Sequence, residues 1–290
     1  MTDMDVVKYL AEKKVPVDRA LKKYFSDINT FFDIMYYSIG GGKRIRPILS
    51  ITSYEANGGK DSEQIMPIAC GLELIHTYSL IHDDLPSMDD DDFRRGKAAA
   101  HKKFGEAMAI LSGDGLFAHA FELFALGNGL VKEKLMVIQA VSEVVGPKGV
   151  VYGQTLDISR EMSPNPVSLR RIHFNKTAKF IAVSVKCGAI MAQAPAPLIN
   201  DLYAAGIYMG MLFQYTDDIL DVVGEKEKLG KTPGKDLAAG KLTAPAVYGL
   251  DGAMFRARRY AELANQKFSG LGDRFNVFNM ITDFILHRTF

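Results

Sequence analysis

The chain has 290 residues and is 48% hydrophobic, enough to bury a substantial core in one large domain or two small ones. Its 35 Lys and Arg against 34 Asp and Glu leave a net charge of +1, so no global field recruits nucleic acid or an anionic membrane. Cys70 and Cys187 stand in apolar helical stretches without metal-ligand spacing and read as buried free thiols of a reducing compartment.

Met1 to Lys14 is charged and shows no signal pattern, and the apolar runs are broken within about 18 residues, so a cytoplasmic protein without membrane insertion is expected. Nearly every long segment has helical rather than alternating periodicity, and no strand-and-hairpin series stands out. Gly40, Gly41 and Gly42 precede Lys43-Arg44-Ile45-Arg46-Pro47. Glycines permit close backbone approach, and Lys43 and Arg46 at a helix start set two cations and free N–H donors around one phosphate group. A helix over 45–56 ends at Asn57-Gly58-Gly59, and the next covers 61–87. That second helix ends in acids: Asp83-Asp84-Leu85-Pro86-Ser87-Met88-Asp89, running on into Asp90-Asp91-Asp92-Phe93-Arg94-Arg95. Pro86 makes the cluster a helix end and predicts that Asp89 folds back towards Asp83. A lone run such as Asp89 to Asp92 is more often a solvated loop than a ligand set.

A helix from Glu106 stops at Gly127-Asn128-Gly129, and another follows over 132–145; both are apolar enough to serve the core and a dimer face. Gly146-Pro147-Lys148-Gly149 is the next break, and Ser163-Pro164-Asn165-Pro166 precedes Ser168 as an N-cap. After Ala194-Pro195-Ala196-Pro197 a helix over 198–223 carries Asp217, Asp218 and Asp221. These three share a face of an otherwise apolar helix, and unpaired buried charge is costly. Mg²⁺ resolves the conflict, since it prefers carboxylate oxygen and shares its remaining positions with substrate phosphates. Two such acidic walls facing each other would hold a diphosphate through a trinuclear or similar metal site. The predicted fold is all-α: a single domain over residues 1–290, about ten or more helices around a central cavity, with no internal boundary or short repeat.

The two acidic clusters resemble the first and second aspartate-rich motifs of the trans-isoprenyl diphosphate synthases. Gly41-Gly42-Lys43 through Arg46-Pro47 is similar to that family's Gly-Gly-Lys-x-x-Arg-Pro signature. The stretches His76 to His82, Phe104-Gly105-Glu106-Ala107, Gly153-Gln154 with Asp157, Lys176-Thr177 and Gly230-Lys231-Thr232 match in the family's order, over roughly residues 25 to 250. The resemblance implies an isoprenoid-synthase-type helical bundle, usually homodimeric, that joins isopentenyl diphosphate to an allylic diphosphate with Mg²⁺, up to about three ions with bound diphosphate. It assigns Asp83, Asp84 and Asp89 to one metal wall and Asp217, Asp218 and Asp221 to the other, with Asp83, Asp89 and Asp217 as direct ligands. It gives isopentenyl diphosphate to Lys43, Arg46, His76 and Arg95, and the allylic diphosphate to Arg94, Lys176, Lys231 and Lys241. Thr177 and Gln214 resemble residues whose oxygens face the reacting cation.

Tyr78, five residues before Asp83, lies about 7.5 Å deeper along a helix, where an aromatic ring would floor the growing hydrocarbon; Ser79 beside it is small. This pattern resembles the bacterial farnesyl diphosphate synthases and implies a C15 product, with geranylgeranyl synthesis as the alternative. Three places depart from the family: Ala98-Ala99 for Pro-Thr, Thr243-Ala244-Pro245 for Thr-Tyr-Pro, and a terminus His287-Arg288-Thr289-Phe290 where many members end on basic residues. A class I terpene cyclase would not need Lys43, Arg46 and His76, and a non-catalytic partner subunit commonly loses one aspartate motif.

Overall fold

The helix starts are marked chemically. Asn29 accepts from the Phe31 and Phe32 N–H groups at 2.9 and 3.3 Å to open α2 (Thr30–Ile39), and Asp61 accepts from Glu63 N–H to open α4 (Ser62–Asp83). A computed structural model of the chain describes residues 3–26, 29–126, 130–159, 165–223 and 241–288. Its first and third helices are α1 (Asp3–Tyr24) and α3 (Ile45–Ala56), the latter matching the range read from the sequence. α4 is buried on all sides along most of its length, which makes it the central helix. It packs on α3 and on α6 (Glu106–Ala125), with the one-turn α5 (Ala100–Phe104) before it.

Beyond α6 come α7 (Val131–Val145), α8 (Val150–Ile158) and α9 (Pro166–His173). α9 runs through a π-helical turn, Phe174–Ala178, into α10 (Lys179–Met191), which lies against α3, α7 and α11 (Ala196–Val223). α12 (Ala244–Ser269) packs along α11 with a break at Gly249, and a 3₁₀ turn leads to α13 (Asn276–His287). One continuous set of buried apolar side chains runs from Val6 to Ile285. Cys70 and Cys187 lie inside it as free thiols, and burial pushes the Cys187 thiol up to about 12.

The all-α expectation holds, with local differences. α4 stops at Asp83 rather than 87, because Pro86 disfavours helical backbone before it and Asp84 takes the cap position. Asn165, not Ser168, caps α9: its side chain accepts from Val167 and Ser168 N–H, with Pro166 in the first helical position. A hairpin absent from the sequence reading pairs β1 (Phe93–Arg94) with β2 (Lys97–Ala98). Arg95 and Gly96 turn it, both at positive φ (54° and 74°), as a tight two-residue hairpin requires. α6, although interrupted by Asp114 and Glu122, has the length and mean apolar composition of a membrane-crossing helix, as does the span 131–158. α6 packs one face on α4, and the break at 146–149 divides the second span.

Candidate active site

Both acidic motifs open onto one cavity of about 620 Å³, enclosed by α3, α4, α8, α9, the π turn, α10, α11 and the Lys241–Thr243 segment. Asp83, Asp89 and Asp91 line it from the first cluster, and Asp217 and Asp218 from the second. Asp84 and Asp221, both 2% exposed, are not part of its wall.

The first cluster is shaped by the end of α4. The Asp89 N–H donates to the Asp83 carbonyl at 2.8 Å, which is the fold-back that Pro86 implied. Asp84 is gripped by Arg94, whose Nε donates at 3.0 Å and whose Nη2 reaches the same carboxylate; Nη2 also donates to Asp91 at 3.1 Å. Asp84 therefore positions Arg94 rather than facing the cavity. Burial pushes the Asp83 carboxyl up to about 6, with Lys176 opposing and Asp89 adding to the rise. Burial works against the charge of Lys176 in turn, but Asp83, Asp157 and Asp89 outweigh it and raise its pKa. Lys176 Nζ donates to Asp157 at 2.7 Å, and Lys241 Nζ to Asp89 at 2.7 Å.

The π turn sets Lys176 and Thr177 on this wall, and single π turns of this kind recur at functional sites. α8 approaches it so closely that a Cβ on Gly153 would stand 2.3 Å from Lys176 N. Thr177 Oγ1 donates to Gln214 Oε1 at 2.6 Å, and Gln214 Nε2 donates to Asp218 at 2.9 Å. Asp218 also accepts from the Ala244 N–H at 2.7 Å and lies 3.1 Å from His173 Nε2. It pins α9 and the start of α12 to α11, so the three acids of this helix have different surroundings. Asp217 is the more open carboxylate, Asp218 is held by protein donors, and Asp221 lies one turn farther along, away from the cavity.

The basic end is built on the glycine run. A Cβ on Gly42 would meet Arg44 Nη1 at 2.5 Å and Glu73 Oε1 at 2.8 Å, so a larger residue here would push these charged side chains aside. Arg46 is buried, lies 4.8 Å from the Phe180 ring, and leaves its Nε without a hydrogen-bond partner. Burial, partly offset by Glu73, lowers it to about 10. Burial lowers Lys43 as well, and Arg288 adds to that. His76 is held well below its ordinary value by burial and by the surrounding Arg46, Arg95, Arg94 and Arg44. A buried donor lacking an acceptor among clustered cations is a place for an anion.

Four residues the sequence reading did not assign belong to this arrangement. Glu73, 1% exposed, accepts from Arg44 at 2.7 Å and Arg95 at 3.3 Å; its signal was an acid inside the apolar run Gly71 to Ile75. Asp157 and His173 partner Lys176 and Asp218. Arg288 places Nη2 3.8 Å from Asp217 and donates to the Phe213 carbonyl and Thr216, so the C-terminal departure still sets a cation beside this acid. Tyr78 is half-buried and off the cavity wall, edge-on to Phe117 at 4.9 Å, with Phe121 and Phe124 continuing the series. Ser79 lines the cavity and donates to the His76 carbonyl. Lys231 lies outside the described residues.

The polyprenyl synthetase family model matches residues 28–280. The chain belongs to that family. It is 42% identical to the farnesyl diphosphate synthase of Geobacillus stearothermophilus over 92% of each chain. It is 40% identical to the geranylgeranyl diphosphate synthase of Cyanophora paradoxa over 99% of this chain and 98% of that one. Its fold matches a Helicobacter pylori geranyltransferase solved with magnesium and isoprenyl diphosphate, at a TM-score of 0.85 and 28% identity over 98% and 97% of the two chains. The protein is thus a prenyltransferase, a short-chain trans-prenyl diphosphate synthase of a magnesium-dependent family.

Proposed function

We propose that this synthase makes (E,E)-farnesyl diphosphate, condensing isopentenyl diphosphate head to tail with dimethylallyl and then with geranyl diphosphate. Tyr78 carries the C15 length. Its ring and those of Phe117, Phe121 and Phe124 fill the space between α4 and α6 deeper than Asp83, where a growing tail would have to pass.

The donor set suits Mg²⁺: Asp83 and Asp89 from one side and Asp217 from the other offer hard carboxylate oxygens to one cavity, and a bound cation would favour the charged form of the Asp83 carboxyl, whose pKa burial raises. When bound, Mg²⁺ (up to about three ions with diphosphate) neutralises charge on the departing diphosphate. Arg94, Lys176 and Lys241, with Lys231, hold that diphosphate, and Lys43, Arg46, His76 and Arg95 hold isopentenyl diphosphate beside it. Asp84 and Asp221 support these groups from behind, and Asp218 does so from the cavity wall through Gln214 and His173. Phe180, Phe213, Ile172 and Leu242 keep the reacting carbons dry, and the Thr177–Gln214 pair presents oxygen to the allylic cation. The allylic C–O bond breaks, its carbon bonds to the terminal olefin carbon of isopentenyl diphosphate, and the tertiary cation left on the methyl-bearing carbon forms the new double bond as the CH₂ group next to it gives its proton to the released diphosphate.

Residues 1–290 form one domain in this reading, acting in the cytoplasm as a homodimer through the exposed Ile110 and Leu111 of α6 and Val131 and Leu135 of α7. Incubation of the purified chain with isopentenyl and dimethylallyl diphosphates and Mg²⁺, followed by chromatography of the dephosphorylated products, tests the reading. Farnesol is expected, shifting towards geranylgeraniol in Tyr78→Ala. Mainly C20 from the wild type would favour the activity named for the Cyanophora relative, and clean C15 from the variant would place the floor elsewhere.

A further inference from the structure

The acids that follow the first motif divide in sequence order. Asp91 lines the catalytic cavity, whereas Asp90 and Asp92 on either side of it do not. Asp90 stands at positive φ (50°), and the Ala99 N–H donates to the Asp92 carbonyl at 2.8 Å, closing the base of the hairpin. This closure brings α5 against the two exposed carboxylates. His101, the second residue of α5, is only 6% exposed, and neither of its ring nitrogens has a hydrogen-bond partner. One ligand atom from each of Asp90, Asp92 and His101 lies within 4.8 Å of the other two. Among the described residues this is the one set of three potential ligands so gathered, and it is separate from the acids of the cavity.

A neutral imidazole carries a donor and a lone pair, and burying both unpartnered is unfavourable. Two carboxylates beside such a lone pair supply what a divalent cation needs. We propose that Asp90, Asp92 and His101 form a second cation site, outside the catalytic cavity, for a borderline ion such as Zn²⁺ or Co²⁺. Imidazole selects these ions over Mg²⁺, which takes oxygen almost alone. Bonds of about 2.0–2.2 Å set the ligand atoms about 3–3.5 Å apart, and both aspartates are exposed enough to adjust to that spacing. Lys102 Nζ lies 2.8 Å from Asp92 Oδ1 and balances the charge of the pair, so the ion competes with it or shares the carboxylate. The site joins the base of the hairpin to α5, and the hairpin carries Arg94 and Arg95. Occupancy would therefore stiffen the segment that presents two of the cavity's cations.

Co²⁺ titration of the 290-residue chain, with Mg²⁺ and inorganic diphosphate saturating the cavity, tests the site. Visible absorption and calorimetry should report about one further equivalent of Co²⁺, together with slowed amide exchange over 93–98. His101→Gln and Asp90→Asn should each weaken that uptake at least about tenfold, while Asp217→Ala should leave it in place. Asp90 is exposed, so its variant tests the site even if the buried His101 substitution fails to fold. No uptake beyond the blocked cavity, or wild-type affinity in either soluble variant, overturns the proposal.

Discussion

Glu73→Gln removes one negative charge from beneath three guanidinium groups while changing almost no volume. Glu73 is 1% exposed and accepts from Arg44 at 2.7 Å and Arg95 at 3.3 Å, and its charge also supports that of buried Arg46. Removing one partner of a buried ion pair costs about 3–5 kcal/mol, because the other charge stays buried without compensation. Arg44 keeps Asp18 at 2.8 Å and the glutamine oxygen still accepts, so the lower end applies, about 3 kcal/mol. With a urea slope of about 3 kcal/mol/M, the midpoint should fall by about 1 M.

An anion in the basic pocket replaces part of the missing charge. Ligand that binds only the native state stabilises it by about 2.7 kcal/mol at a hundred times its Kd. Inorganic diphosphate should therefore bind the variant more tightly than the wild type and narrow the gap between their urea midpoints. Arg95→Leu in the Glu73→Gln background should recover part of the loss, since it removes a charge that no longer has a counterion. Urea melts of all three chains, with and without diphosphate, measure each quantity. A midpoint shift under about 0.3 M, or the same diphosphate increment in wild type and variant, would refute the idea that Glu73 is the counter-charge of an anion pocket.

Asp83→Ala and Asp217→Ala should each lower turnover on the order of 10²-fold or more at saturating Mg²⁺ with circular dichroism unchanged, and near-wild-type rates in both would exclude the proposed metal walls. Arg46→Ala should raise KM for isopentenyl diphosphate by the equivalent of about 1.5–3 kcal/mol and affect the allylic substrate less; equal effects on both would contradict separate pockets. His76 should remain neutral in the ligand-free protein down to well below pH 6.5, because burial and four arginines oppose its proton. Below the unfolded value near 6.5 the unfolded chain then binds a proton that the native state does not. Its contribution to stability should thus be flat above that pH and fall by up to about 1.4 kcal/mol per unit beneath it. Imidazole NMR and urea midpoints of wild type and His76→Gln check both points, and a titration near pH 6.5 in the native protein would disprove the first.

What could be read from the sequence was what depends on local periodicity and spacing. Helix α3 and the bounds of α6 and α11 followed from breakers within one or two residues, and the return of Asp89 to Asp83 followed from the position of Pro86 alone. What could not be read depends on partners far along the chain. Asp217, Asp218 and Asp221 share a broad face of about 100° on a helical wheel, and it is the distant Ala244 N–H and His173 that engage Asp218 while Asp217 stays the more open carboxylate. Asp83 and Asp84 are adjacent, yet Arg94 at the hairpin claims only the second. The hairpin itself was hidden because two residues per strand give no alternation to detect, and Arg95 rather than Asn or Asp occupies its first turn position. An aspartate-rich motif therefore specifies how many carboxylates reach one end of the bundle, and long-range donors decide which of them are left for a metal ion. Asp91 follows the same logic: its place in a run of four acids suggests solvent, but Arg94 draws it to the cavity wall and leaves its neighbours Asp90 and Asp92 beside His101.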